Sequence, residues 1–179
     1  MAKLTVGDKL PNFTFDTPYQ KGLSMYEELK KAPKTALVFL RYYGCPFCQF
    51  DMHSYEVSYD KITASGNQFF VVLQSDPDKL KKTLAGHPLP FPIICDPQMK
   101  LYKELEIPDG TGMTLAGPNT MTKAAAVKAA GYQHGDYEGI ETQLPATFAV
   151  DQSGTVTYVH YAEFIDDSAT DKQLIDLLA

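Results

Sequence analysis

The sequence has little of what would identify a secreted scaffold, a membrane protein or a nucleic-acid-binding protein. Three cysteines in 179 residues are too few for a disulfide framework, and a chain of this length buries ~70% of its unfolded surface without one. The chain has no run of about 18 apolar residues, which is the length a membrane-spanning helix needs. A net charge of −6 leaves no basic patch for phosphate backbones or anionic lipid. We therefore expect neither a nucleic-acid nor a membrane partner.

The beginning of the chain also lacks the apolar core of a secretory signal, since Met1 to Asp8 alternates polar and apolar residues. This predicts a cytoplasmic protein, and the length predicts a single domain over residues 1–179. In a reducing compartment, two closely spaced cysteines indicate catalysis or metal binding rather than a scaffold.

Two cysteines stand three residues apart where the apolar run from Ala36 to Leu40 gives way to a helical pattern. Pro46 suits the first position of a helix, which makes Cys45 the N-cap. Free backbone N–H groups at the helix start favour thiolate over thiol, and comparable sites have pKa values of roughly 3.5–7.5 against about 8.5 for a free cysteine. Cys45 is therefore predicted to be nucleophilic, provided that its sulfur reaches solvent and faces those amides.

The second cysteine, Cys48, begins an apolar stripe at helical spacing and is predicted to face the core. A thiol one turn from the cap is placed to form a disulfide, so Cys45 attacks and Cys48 resolves. The alternative is a pair of unreactive core residues. The stripe comprises Cys48, Met52, Tyr55, Tyr59 and Ile62.

Apolar strands alternate with helical segments along the chain, which favours a mixed sheet with helices on both faces. Residues 3–17 are predicted to form an N-terminal hairpin, and residues 107–131 an insertion. The predicted strands are 35–42, 68–74, 91–95, 146–151 and 155–161, and the predicted helices are 24–29, 77–84 (capped by Asp76), 120–130 and 171–178.

Three segments, FLRYYGCPFC (39–48), FPIICDPQMKLYKEL (91–105) and GDYEGIETQLPATFAVDQSGTVTYVHY (135–161), carry a family resemblance. The chain resembles the thioredoxin-like superfamily, in its branch of alkyl hydroperoxide reductase and thiol-specific antioxidant proteins, especially the peroxiredoxin-like 2 type. The resemblance implies a three-layer α/β sandwich. It also implies a cis peptide bond before Pro145, whose backbone would hydrogen-bond a docked disulfide or substrate.

The chain departs from peroxiredoxins proper, which are similar to one another in a P-x-x-x-T-x-x-C motif and a separate arginine that holds the peroxide. Counting back from Cys48 places Cys45 at the threonine position and Arg41 at the proline position. Fast peroxidase chemistry is thus not implied by the motif. Arg41, the one arginine of the chain, either stabilises the thiolate or a peroxide oxygen, or pairs with a carboxylate under the loop. Tyr43 either donates a hydrogen bond to substrate or supports the loop.

These residues predict a thiol-dependent oxidoreductase that reduces peroxides or disulfides through a Cys45–Cys48 dithiol–disulfide cycle. It would use an external thioredoxin-type dithiol as its protein partner, with no bound cofactor and no metal. One alternative is a thioredoxin-like protein disulfide reductase. Another is a non-enzymatic thiol or metal-binding interaction module with the insertion as its surface. A homodimer is left open.

Two further residue types receive no firm role from the sequence. Cys95 is predicted to be a half-buried thiol, with a second resolving role as the minor alternative. Spacing alone brings none of the four histidines close to Cys45. They are His53, His87, His134 and His160.

Overall fold

A five-stranded mixed sheet forms the centre of the computed structural model, which describes residues 2–110 and 115–179. The strand order is β5-β4-β3-β6-β7, with β3 parallel to β4 and antiparallel to β6. The strands are β1 Thr14–Phe15, β2 Leu23–Ser24, β3 Lys34–Phe39, β4 Gln68–Leu73, β5 Ile93–Cys95, β6 Ala146–Asp151 and β7 Val156–Tyr161. The helices are α1 Met25–Leu29, α2 Pro46–Val57, α3 Tyr59–Ile62, α4 Pro77–Thr83, α5 Lys100–Glu104, α6 Thr120–Ala129 and α7 Asp171–Leu177.

Helices cover both faces of this sheet, as the alternating pattern predicts. Side chains of β3 alternate between two apolar cores, with Val38 in one and Phe39 in the other. The first core is closed by α2, α3, α4 and α7, and the second by α1 and α5. Because β3 is covered on both faces, its apolar run has no polar alternation. This three-layer sandwich confirms the predicted fold class.

The predicted position of the N-terminal hairpin is wrong. In the structure β1 pairs with β2, so the hairpin lies over residues 14–24 rather than 3–17. The earlier segment lies against β7 and the turn before it, with Leu4 and Leu10 buried in the second core. Leu10 N–H donates to Gly154 O at 2.9 Å, which fixes this segment to the turn between β6 and β7.

The remaining predicted elements are present with ends shifted by a few residues. Asp76 caps α4 through Lys79 N–H, and Thr170 caps α7 through Gln173 N–H. Helix α6, inside the predicted 107–131 insertion, packs against α2. Residues 111–114 of that insertion lie outside the described residues. Within the described part of the chain, no helix is both long and apolar enough to cross a membrane.

Candidate active site

Cys45 is the N-cap of α2, as its position before Pro46 predicts. Its backbone is extended, with φ −70° and ψ 122°, and its carbonyl accepts the first helical hydrogen bond from Gln49 N–H at 2.9 Å. Its sulfur accepts a hydrogen bond from Cys48 N–H at 3.2 Å. The sulfur thus faces a free amide of the first turn, where the positive end of the helix stabilises a thiolate.

The second thiol lies directly against the first. Cys45 Sγ and Cys48 Sγ are 2.6 Å apart and unbonded, and Cys48 is buried on the core face of α2, as predicted. Burial acts to raise the pKa of Cys45. The Cys48 thiol, the Arg41 charge and the Cys48 amide together outweigh it and lower that pKa from 9.0 to about 7. Burial, and then the hydrogen bond to Cys45, raise the pKa of Cys48 well above its usual value, so Cys48 stays protonated.

The expectation that the Cys45 sulfur reaches solvent is wrong for this structure, in which Cys45 is 0% exposed. Residues 132–141, which we call the cover segment, lie on the loop that precedes α2. Gly135 N–H donates to Gly44 O at 2.8 Å. A Cβ at Gly44 would lie only 2.4 Å from Asp136 O, so the two backbones touch and only glycine fits.

Arg41 combines the two roles that the sequence leaves open. It is 7% exposed, and its charge lowers the pKa of Cys45. Its Nη1 atom also donates to the backbone oxygen of Glu141 and lies 3.4 Å from the Glu141 carboxylate. The one arginine therefore acts on the thiol beneath it and on the cover segment above it.

The two tyrosines before Gly44 support the loop in different ways. Tyr42 is fully buried, and its hydroxyl lies 3.0 Å from His134 Nε2 in the cover segment. Tyr43 is partly exposed, its backbone N–H donates to Ser75 Oγ at 3.0 Å, and burial raises its pKa. Ser75 in turn donates to Glu138 at 2.8 Å, which adds another contact to the cover segment.

The expected cis bond before Pro145 is wrong, since the described chain contains no cis peptide bond. Leu144 N–H donates to Pro108 O at 3.2 Å, and Pro145 O accepts from Ala162 N–H at 3.1 Å. Gln143 Nε2 donates to Leu144 O at 3.2 Å. The trans form is also the ordinary preference of an X–Pro bond, by about 0.5–1 kcal/mol. Pro145 still lines the small cavity beside Cys48.

Asp51 is a site residue that the sequence reasoning missed. It lies one turn after Cys48 on the same face of α2 and lines the same small cavity. Burial raises the pKa of this carboxyl, against the opposing effects of Lys123 and Ser168. Lys123, from α6 of the insertion, contacts Asp51 at 2.8 Å. A polar residue at i+3 from a core cysteine is the signal that could have identified it.

The other candidates are separated from this site, with one exception. His134 is brought to Tyr42 by the cover segment, whereas His53, His87 and His160 pair with carboxylates elsewhere. Cys95, on β5, is buried rather than half-buried, and burial followed by nearby carboxylates raises its pKa to about 12. Among the described residues no group of His, Cys, Asp or Glu side chains is arranged to hold a metal ion.

The chain is similar to known proteins in its family and in its fold. The model of the AhpC/TSA family matches residues 6–159. A mutant of peroxiredoxin 6 from Arenicola marina superposes with a TM-score of 0.69 at 14% identity, covering 98% of this chain and 72% of that one. Peroxidoxin BcpB from Mycobacterium tuberculosis gives a TM-score of 0.68 at 14% identity, covering 97% and 95%. A peroxiredoxin-like protein from Aquifex aeolicus gives 0.66 at 16% identity, covering 99% and 89%.

No curated protein sequence matches the chain at a significant level. The structural likenesses, at these identities, establish the fold alone.

Proposed function

Because the chain belongs to the AhpC/TSA family and is therefore a thiol-dependent oxidoreductase in kind, we propose that it reduces small peroxides through a Cys45–Cys48 dithiol–disulfide cycle. The observation that carries this proposal is the state of the Cys45 sulfur. It caps α2, accepts hydrogen bonds from the amide and the thiol of Cys48, and has a pKa lowered to about 7. The lowered pKa makes the thiolate available near neutral pH.

In the first step the Cys45 thiolate attacks one peroxide oxygen. The O–O bond breaks, Cys45 becomes a sulfenic acid, and the leaving alkoxide or hydroxide takes a proton to give an alcohol or water. In the second step the Cys48 sulfur attacks the sulfenic sulfur. A disulfide forms, water leaves, and the site has passed two electrons to the peroxide. Because the two sulfurs lie 2.6 Å apart, this condensation needs little movement of the site, and the disulfide protects Cys45 from overoxidation.

An external dithiol closes the cycle by exchange with the Cys45–Cys48 disulfide. Its two thiols are oxidised to a disulfide as the two cysteines of the site return to thiols. A protein of thioredoxin type is the proposed donor, and the proposal needs no bound cofactor or metal. Cys95, with a pKa near 12, is left outside the cycle.

Two observations favour small peroxides over protein disulfides as the oxidant. The Cys45 sulfur is fully covered, so hydrogen peroxide needs a small opening, whereas a docked polypeptide would need the whole cover segment displaced. The backbone around Leu144–Pro145, which in thioredoxin-like proteins is expected to bind an extended substrate, is hydrogen-bonded to the chain itself. Reduction of protein disulfides remains the second candidate, favoured by the C-x-x-C spacing alone.

A direct comparison of two oxidants tests this proposal. Hydrogen peroxide consumption and insulin disulfide reduction are measured with the same thioredoxin-type donor, and the Cys45→Ser variant serves as the blank. We expect turnover of peroxide and slow or no reduction of insulin. If insulin were reduced faster than hydrogen peroxide, the protein would be a disulfide reductase and not a peroxidase. No reaction with either oxidant, together with zinc bound at one equivalent, would favour the non-enzymatic module.

A further inference from the structure

The hydroxyl of Thr147 is a buried polar group whose hydrogen bonds are not met. Thr147 lies on β6 and is 2% exposed, and its Oγ1 atom has no hydrogen-bond partner among the described residues. Buried hydroxyls are normally paired, because an unpaired one has lost its bonds to water and gained none in exchange. The other such atom in the described part of the chain, Gln74 Nε2, lies under the cover segment, whereas Thr147 lines a cavity.

This cavity lies between the β6–β7 edge of the sheet and α7. Its volume is about 430 Å³, which is within the range of small-molecule sites in proteins. In the antiparallel ladder Thr147 pairs with His160, and Ala149 with Tyr158. Directly opposed residues point to the same face of a sheet, so Thr147 and His160 share one wall of the cavity. That face is the one covered by the first core, since Val38 is the β3 partner of Thr147.

The wall opposite the sheet is acidic. Asp167, in the loop before α7, and Asp176, on α7, line the cavity, and none of the described lining residues is a lysine or an arginine. Asp167 Oδ2 lies 2.9 Å from His160 Nε2. Asp176 pairs with Lys172 at 2.7 Å, but both side chains are exposed, and such a pair contributes little. Even with a charged histidine, the carboxylates outnumber the cationic groups of the lining.

Two other cavities of the described chain have no such unmet group. A groove of about 710 Å³ lies between α2 and α6, where the buried Asp51 contacts Lys123 at 2.8 Å. A cavity of about 310 Å³ lies beside the β1–β2 hairpin, where Gln68 Nε2 donates to Glu28 O and to Thr35 Oγ1. These polar side chains are already paired. The unmet hydroxyl therefore distinguishes the cavity that Thr147 lines.

We propose that this cavity binds a small organic amine with a second polar group, at a site separate from the dithiol and beyond the proposed function. The ammonium group donates to Asp167 and is attracted by Asp176, and the Tyr158 ring packs on the carbon chain. The second polar group meets the Thr147 hydroxyl. Because Thr147 lies opposite His160, which contacts Asp167, the two ends of the ligand are separated by a short aliphatic chain. An anion finds no lysine or arginine there.

Calorimetric titration with three ligands of similar length tests the proposal. The probe 5-amino-1-pentanol carries an ammonium and a hydroxyl, pentylamine lacks the hydroxyl, and 5-hydroxypentanoate has a carboxylate in place of the ammonium. We expect 5-amino-1-pentanol to bind with a Kd of about 1 mM or below, as a ligand of this size allows. Pentylamine should bind roughly fivefold more weakly, because one hydrogen bond is lost. Equal binding of 5-hydroxypentanoate, or no binding of the probe, would overturn the proposal.

Thr147→Val removes the hydroxyl and keeps the shape of the side chain. It should weaken 5-amino-1-pentanol roughly fivefold and leave pentylamine unchanged, since pentylamine has no group for the hydroxyl. Asp167→Asn should weaken both amines. Thr157→Val is the matched control, because Thr157 is an exposed residue of β7 that does not line the cavity, and it should change neither affinity.

The melting temperature of the ligand-free protein shows that the variant is folded. Thr147→Val should melt at the wild-type temperature or above it, because it removes an unpaired buried hydroxyl without breaking a bond. Wild-type affinity of Thr147→Val for 5-amino-1-pentanol would overturn the inference, whatever its melting temperature. No readout uses peroxide or Cys45, so amine binding without peroxidase activity would keep this inference and reject the proposed function, and the opposite result would do the reverse.

Discussion

The dithiol and the segment that covers it are built in opposite ways. The dithiol sits at the junction of a buried strand, β3, and a capped helix, α2, and its sulfurs are held by main-chain and apolar contacts. The cover segment, 132–141, has no helix or strand and is held by polar contacts, several of them exposed. The reactivity of Cys45 and the access to it are therefore controlled by largely different residues, and Arg41 is the residue that contacts both regions.

The first prediction separates the two sulfurs of the dithiol. Cys45→Ser should lose peroxide turnover by on the order of 10³-fold or more, because a serine hydroxyl is a poor nucleophile at its free pKa. Cys48→Ser should keep the first reaction but not the cycle, since the sulfenic acid then has no resolving thiol. Mass spectrometry after one equivalent of peroxide should show Cys45 oxidised by one oxygen, and excess peroxide should carry it to sulfinic acid.

Cys95→Ser is the control for both variants. Its sulfur lies on β5, two strands away from β3, and its pKa is raised to about 12. We expect wild-type turnover. If Cys95→Ser lost the cycle as Cys48→Ser does, Cys95 would be the resolving thiol, and the comparison between the two regions would have to include β5.

Local patterns made the dithiol predictable. Pro46 after Cys45 identifies the start of α2, and helical spacing places Cys48 in the core; both depend on neighbours within one turn. The central strands were predicted for the same reason, because their apolar runs are short-range signals.

Long-range polar contacts left the cover segment unpredicted. His134 meets Tyr42 across 92 residues, and no periodicity in an exposed loop encodes that meeting. Pro145 shows the limit of resemblance. The described chain has no cis peptide bond there, and the backbone of Leu144 and Pro145 is hydrogen-bonded to Pro108 and Ala162, which are distant in sequence.

The second prediction concerns Gly44, where the two regions touch. In Gly44→Ala the new Cβ would lie 2.4 Å from Asp136 O and 2.9 Å from Asp136 N, which are backbone atoms and cannot turn aside. Such overpacking destabilises the closed cover segment by about 1–3 kcal/mol. Because about 1.4 kcal/mol changes an equilibrium constant tenfold, we expect the open population of the cover segment to rise roughly tenfold. Cys45 alkylation by iodoacetamide at pH 6 should accelerate by that factor.

Gly86→Ala is the matched control, since a Cβ there meets no atom within 4 Å. It should leave alkylation unchanged. If Gly44→Ala lowered the melting temperature without accelerating alkylation, the cover segment would be a fixed part of the fold, and the contrast between a rigid dithiol and a movable cover would fail.

The third prediction uses Arg41, which contacts both regions, and it has the smallest expected effect. Removing its charge in Arg41→Gln should raise the pKa of Cys45 from about 7 toward 9.0, because burial is then less well opposed. A rise of one unit lowers the thiolate fraction at pH 7 from one half to about one eleventh, which slows peroxide reduction roughly fivefold. The rate rises with pH as thiolate forms, so above about pH 9 the variant should match or exceed the wild type, since its cover is also loosened.

Lys79→Gln is the control, because it removes a cation that pairs with Asp136 in the cover and does not act on Cys45. The pH of half-maximal rate should move only in Arg41→Gln; an equal shift in both variants would mean that the cover, and not the charge beside the sulfur, sets the pKa of Cys45.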